Sequence, residues 1–356
     1  MGKAPHPRDI DVIAPNFKRR LSGVTATVVR LVPVQARDIA IVATGPVLPE
    51  HVPQIPLSRL ITLPRSGPSG ARVWHARRNV EMIGGLALKH LLCKRLRLMF
   101  TSASQRQQSG LTRWLIRRMD AVVATSDKTA AYLEGPSTVI MHGIDTDTFA
   151  PAQDRAALRA RMGLPVEGPL IGCYGRIRAQ KGTDAFVDAM IDTLPRHPGA
   201  HAIVMGRAVE KDQAFLEDLK QRVRGAGLAE RILFKPEVPT DRMADWYAVL
   251  DLYVAPQRWE GFGLTPIEAM ATGCPVVATR VGAFDALVAS GETGTLVDPG
   301  DSVALGRAVD AALADPARLA AWRIASRQRV ETDFSIEGEA RALIAIYREL
   351  LGRGDR

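Results

Sequence analysis

QRWEGFGLTPIEAMATGCPVVAT, residues 257–279, is the stretch whose reading decides the fold. An apolar run, DLYVAP (251–256), leads into it, and a second, PVVAT (275–279), ends it. Between them lie a glycine-bearing loop, 257–263, and a pattern over 264–272 that reads as a helix stopped by Gly273 and Pro275. Two almost wholly apolar strands joined through a helix imply a parallel sheet buried on both faces.

The same alternation extends outward. LIGCYGRI (170–177), HAIVMG (201–206), RILFKPEV (231–238) and GTLVDPGD (294–301) read as further strands, with amphipathic patterns between them. In such sheets ligands bind at the carboxyl ends of the strands. The N-terminal half is less regular. DIDVIAPN, DIAIVAT, RLRLMFTS and AVVATS read as strands, while VWHARRNVEMIGGLALKHLLCK and QQSGLTRWLIRRM read as helices with basic faces. The expected organisation is α/β: two Rossmann-like, doubly wound domains over 1–150 and 151–334, and a final helix over 335–356 that returns to the first domain.

Bulk properties fit this. A chain of 356 residues with 46% hydrophobic and 24% charged residues suits two globular domains. No window is long and apolar enough for a membrane span, and the N-terminus has no apolar secretory core. Cys93, Cys173 and Cys274 lie far apart, which argues against a disulfide framework or a zinc site and for a cytoplasmic location. Residues 1–150 carry 21 Lys and Arg against 10 Asp and Glu, whereas 151–356 carry 26 against 28. The net charge of +9 therefore sits in the first half. Either that half meets an anionic partner or it is a solvated basic surface.

The chemistry starts from Glu260 in the glycine loop and Glu268 in the second turn of the helix. Gly261 and Gly263 permit close approach of a ligand, and the free N–H groups at the helix start suit its oxygens. A carboxylate accepts two hydrogen bonds, so the pair fits the vicinal hydroxyls of a sugar and a ribose. Alone, it fits a loop glutamate and a helix glutamate equally well. CYGRIRAQKGTD (173–184) adds two cations, Arg176 and Lys181, at another strand exit, with Gly175 and Gly182 framing the turn and Thr183 as the helix cap. That grouping suits a diphosphate, and its spacing is neither Walker A nor GxGxxG. Together the two loops point to a nucleotide-diphosphate sugar.

On GRIRAQKG, EGFGLTPIEAMATGCPVVAT, GETGTLVDPGD and HGIDTDTF the chain resembles the retaining GT-B glycosyltransferases of family 4. PNFKRRLSGVTATVVRLVPVQ and MFTSASQRQQSG resemble, more narrowly, the bacterial lipopolysaccharide core mannosyltransferases that add mannose to inner-core Kdo. The resemblance implies a GT-B fold, two Rossmann-like domains facing across a cleft, and retaining transfer from GDP-mannose without metal or cofactor. It implies that Arg176 and Lys181 bind the diphosphate, that Glu260 and the backbone of Gly261, Phe262, Gly263 and Leu264 hold the sugar, and that Glu268 holds the ribose. Catalysis would rest on Glu260, Arg176 and Lys181. The segment 235–238, ending at Val238, would lie near the base, and Gly23 would face the donor.

Arg19 and Arg20 are the acceptor candidates, the acceptor being a lipopolysaccharide core or another anionic glycolipid. Peripheral contact with the cytoplasmic face of the inner membrane is expected. Trp74, Arg77 and Arg78 are the candidate strip for it, or else a helix face exposing arginines. Trp259 walls the sugar site or packs. Two departures stand out: FTSASQR lacks the histidine many relatives carry there, and His142 replaces the asparagine of NGVD, with a structural role at a turn expected. The rival readings are a UDP-glucose or UDP-galactose transferase, a nucleotide-sugar epimerase or phosphorylase, and a basic nucleic-acid-binding protein. The last lacks aromatic–basic interleaving, so nucleic acid is not an expected partner.

Overall fold

The computed structural model describes residues 6–19 and 23–352. They form two compact units: one ends at Gly143 and resumes at Ile336, and the other is Ile144–Ser335.

The first unit holds β1 (Val12–Pro15), β2 (Ile41–Thr44), β3 (Arg72–Ala76), β4 (Leu96–Ser102), β5 (Ala121–Ala124) and β6 (Thr138–Val139), all parallel, in the order β2-β1-β3-β4-β5-β6. Alternate strand residues feed two cores, as a sheet covered on both faces requires. Val12, Ala14 and Val73 pack with Leu31 of helix Gly23–Gln35 and with Leu343 and Tyr347 of helix Ile336–Gly352. Ile13, Trp74 and Leu98 pack with Met82 of helix Asn79–His90 and Leu115 of helix Gly110–Ile116.

β3 corrects the sequence reading, which had a helix from Val73. All five residues of β3 are buried, and Arg72 is 1% exposed. Its guanidinium donates to the carbonyls of Ile10 (2.9 Å), Pro64 (2.8 Å) and Pro7 (3.1 Å), which replace the water it would otherwise need. Trp74 is fully buried and donates its indole N–H to the Glu81 carbonyl at 2.8 Å. Arg78 is tied to Asn16 Oδ1 (2.9 Å) and Glu81 Oε1 (2.7 Å). The Trp74, Arg77 and Arg78 strip is therefore part of the interior framework, not a lipid-facing surface.

The second unit holds β7 (Leu170–Tyr174), β8 (His201–Met205), β9 (Ile232–Lys235), β10 (Leu252–Ala255), β11 (Val276–Thr279) and β12 (Gly294–Val297), again parallel, in the order β12-β11-β10-β7-β8-β9. All six runs read as strands are strands. The chain order reverses between β7 and β10, so the crevice between their exits is the topological switch point where such sheets take ligands. At their amino ends, Asp251 Oδ2 joins the two strands by accepting from Leu170 N (2.8 Å) and from the buried Arg159 (2.6 Å). Helix Thr265–Ala271 packs against β10, β11 and helix Pro316–Asp333. Among the described residues no helix is long and apolar enough to cross a membrane.

Candidate functional site

The two loops singled out in the sequence leave neighbouring strands. After β7 the backbone turns through Gly175 (φ +138°) into a short 3-10 turn, Ala179–Lys181, and then helix Thr183–Thr193. Gly182, not Thr183, caps that helix. It is left-handed (φ +70°), and a Cβ on it would lie 1.8 Å from the Pro256 carbonyl oxygen at the end of β10. Only glycine lets the two strand exits come this close.

A second tie joins them. Arg258 donates its backbone N–H to the Gln180 carbonyl (3.0 Å), one guanidinium nitrogen to the Ala179 carbonyl (2.6 Å), and a fork to both oxygens of Asp184 (2.6 and 3.0 Å). The sequence reading passed over Arg258 although it stands inside the quoted stretch. Its cation beside the acidic first turn of the neighbouring helix was the available signal.

The third tie is the chemistry itself. Lys181 Nζ lies 2.5 Å from Glu260 Oε2, with the two side chains only 24% and 19% exposed. Glu260 Oε1 accepts from the Gly261 N–H at 3.0 Å. The sequence reading gave Lys181 to the diphosphate and Glu260 to the sugar, and here each holds the other. Arg176, by contrast, is exposed and makes no ion pair among the described residues. With Gly175, Lys181 and Thr183 it lines a small crevice at the β7 exit. Cys173 also lines it, but burial pushes that thiol up to about 12, so it is a neutral packing group.

Beyond Glu260 glycine geometry lets the loop pack closely on its neighbours. Gly263 has φ +88°, and a Cβ there would strike Phe284 at 2.2 Å. Phe262 is buried and accepts from the Ala283 N–H at 3.0 Å. Trp259 is 45% exposed, so it is not packed away. The helix begins at Thr265 with Leu264 as its cap residue, which puts Glu268 in the first turn rather than the second. The phenol of the fully buried Tyr247 donates to Glu268 Oε2 at 3.0 Å. Burial above all, then the Glu268 charge, raises that phenol well above its ordinary value and keeps it a donor. Tyr174 packs tilted and Tyr253 edge-on against Tyr247, with ring centroids 5.2 and 5.3 Å away, a buried aromatic cluster that sequence periodicity gives no sign of. Val238 follows β9 at the edge of the sheet, two strands from β7.

Gly23 opens helix Gly23–Gln35 in the first unit, Arg19 is exposed after β1, and Arg20 lies outside the described residues. His142 lies just before the junction of the two units at Gly143 and Ile144. Its Nδ1 meets Glu339 Oε1 at 2.8 Å within the first unit, where Glu339 also accepts from Gly143 N at 2.7 Å.

The family described as "Glycosyl transferases group 1" matches residues 154–329. Along nearly the full chain the protein is similar to the lipopolysaccharide core biosynthesis mannosyltransferase LpsB of Rhizobium meliloti: 53% identity over 350 residues, covering 97% of this chain and 99% of that one. It is 50% identical over 350 residues to LpcC of Rhizobium leguminosarum, a protein of the same description, covering 98% and 99%. The fold is similar to Anabaena Alr3699/HepE, solved in complex with UDP, with a TM-score of 0.82 at 18% identity over 96% of this chain and 100% of that one. The two parallel-sheet, Rossmann-like units are those of the GT-B class.

Proposed function

The chain belongs to the group 1 glycosyltransferases, alongside lipopolysaccharide core mannosyltransferases, and from that premise we propose that it moves mannose from GDP-mannose to the Kdo-bearing inner core of lipopolysaccharide, with retention of configuration. One observation carries the donor half of this reading. The cationic loop with Arg176 and Lys181 and the carboxylate loop with Glu260 and Glu268 exit adjacent strands at the switch point of one sheet.

In this reading Arg176 and Lys181 take the diphosphate and stabilise the charge that develops as the bond to the sugar breaks, the task a metal ion does in other transferases. Glu260 and the loop N–H groups hold the sugar, and Glu268, oriented by Tyr247, holds the ribose. The segment ending at Val238 borders the base. The acceptor hydroxyl attacks from the face the diphosphate leaves, and a leaving phosphate oxygen takes its proton. The rate effect then comes from positioning and electrostatics. The acceptor is an anionic glycolipid met by the basic first unit, with Arg19 and Arg20 as the candidate acceptor residues and Gly23 as a candidate donor residue. Working on such an acceptor brings the protein into peripheral contact with the cytoplasmic face of a membrane. Donor base, sugar and acceptor rest on the likeness to the named relatives.

The test is turnover and thermal shift with GDP-mannose, UDP-glucose and UDP-galactose, with and without a Kdo-bearing acceptor. A ligand at about 100 times its dissociation constant stabilises the fold by roughly 2.7 kcal/mol. Stabilisation and transfer with a UDP-sugar alone would reassign the donor. Sugar isomerisation without acceptor would make the protein an epimerase.

A further inference from the structure

Nine of the fourteen large apolar side chains exposed among the described residues belong to the first unit, the one that carries the positive charge. Six of them lie on or just past the end of two helices. On Asn79–His90, Met82 and Gly85 face the core, while Val80 (52% exposed) and Ile83 (46%) point the other way. Leu91 (79%) and Leu92 (43%) extend this stripe past the helix end. Helix Gly110–Ile116 adds Leu111 and Trp114, and Asn79 Nδ2 donates to Thr112 Oγ1 at 2.7 Å to hold the two helices side by side.

Cations rim this apolar face. The Arg118 guanidinium stacks 3.6 Å over the Trp114 ring. Arg113 and Arg117 share one exposed carboxylate, Glu134. At the far end Arg65, Lys89, His90, Lys94, Arg95 and Arg97 line an open depression of about 450 Å³ beside Leu91 and Leu92. Its ion pairs run to Asp120, 3.5 Å from Lys89 and 4.0 Å from Arg97, while Lys94 ends on the main-chain carbonyls of Ile61 and Leu63.

We propose that the outer face of helices Asn79–His90 and Gly110–Ile116, with the basic depression beside Leu91, docks on an anionic phospholipid bilayer, the apolar residues entering the acyl boundary and the cations meeting headgroup phosphates. Protruding apolar side chains, an aromatic at the rim and a cationic border are what an interfacial helix requires. A second copy packed on this face would set its arginines against like charges. The docking face gives a surface to the membrane contact in the functional reading above but stands on exposure and charge alone, so its test needs neither donor nor acceptor.

Cys93 is the reporter: it is exposed at the depression, while Cys173 and Cys274 are buried. The full chain, labelled at Cys93 with an environment-sensitive dye, is floated with vesicles of phosphatidylcholine alone or with about one third phosphatidylglycerol. Binding and a blue shift are expected on the anionic vesicles only, fading as salt rises. Ile83→Ser with Leu91→Ser, and separately Arg117→Gln with Arg118→Gln, are expected to weaken binding about tenfold each while thermal unfolding and GDP binding stay unchanged. No binding, equal binding to neutral vesicles, or binding untouched by both double variants overturns the proposal. A dimer lost in Ile83→Ser/Leu91→Ser would assign the face to a second copy instead. Loss of GDP binding in the wild-type protein bears on the donor reading alone.

Discussion

Removing the Glu260 carboxylate separates the two roles this site combines. Glu260 has both oxygens engaged, one by Lys181 at 2.5 Å and one by the Gly261 N–H at 3.0 Å. A donor that takes Lys181 with its diphosphate must first displace Glu260, and the displaced carboxylate is then available to the sugar. A nucleoside diphosphate without a sugar displaces Glu260 and gives it nothing in return. Glu260→Ala is therefore expected to bind GDP as tightly as the wild type or tighter, while turnover with the sugar donor falls. The loss of one or two hydrogen bonds to the sugar costs about 1.5–3 kcal/mol, roughly 10- to 150-fold in turnover. Lys181→Ala has the opposite signature. It loses a charge-assisted bond to phosphate and leaves an unpaired carboxylate beside the anion, so GDP affinity falls by about tenfold or more. In the double variant that repulsion is gone, so GDP binds better than to Lys181→Ala and the two substitutions are not additive. The fold itself tolerates the change. The ion pair is one of three ties between the loops, and Arg258 with Asp184 and Gly182 with Pro256 still join them. Calorimetric titration of GDP into the four proteins, with turnover at saturating donor, decides. If Glu260→Ala loses GDP affinity as severely as Lys181→Ala, the ion pair is a structural strut and the exchange does not occur.

Other outcomes follow from the same geometry. Gly182→Ala sets a Cβ 1.8 Å from the Pro256 oxygen at φ +70°, whereas Gly163→Ala has φ +62° but open space. The first is expected to cost more than about 3 kcal/mol and the second about 1 kcal/mol in chemical denaturation, and equal costs would remove the close approach as the cause. Activity is expected to survive EDTA, and complete loss restored by Mg²⁺ or Mn²⁺ would show that Arg176 and Lys181 do not suffice. His75 is fully buried, 2.6 Å from the Tyr347 hydroxyl and 2.7 Å from Thr101 Oγ1, and burial, then the Arg77 charge, holds its imidazole well below the usual 6.5. The neutral ring favours the fold above pH 6.5. As pH falls below that value the unfolded chain takes up the proton first, so stability drops by up to about 1.4 kcal/mol per pH unit until the folded pKa is reached. Urea midpoints measured across this range check it, and His75→Gln is expected to flatten that part of the profile.

The sequence by itself determined the class of sheet and the place of the two loops at strand exits. Near-continuous apolar runs with helices between them admit a parallel sheet covered on both faces and little else, and glycines, cations and carboxylates just past the runs belong at strand exits. It could not order the strands. LIGCY and LYVA are equally apolar, and nothing local says that β10 lies beside β7 instead of β9. Only the tertiary structure decided that neighbourhood, by passing the chain across the sheet, and it brought Lys181 to Glu260 across 79 residues.

The same limit explains the misreading at Trp74, Arg77 and Arg78, which follow the buried Arg72. Local charge reads as solvent exposure because burying a cation is costly. The carbonyls of Pro7, Ile10 and Pro64 that cancel the cost at Arg72 are assembled from two other segments of the chain. A residue's type fixes what it needs from its surroundings, and only the folded chain fixes whether distant residues supply it.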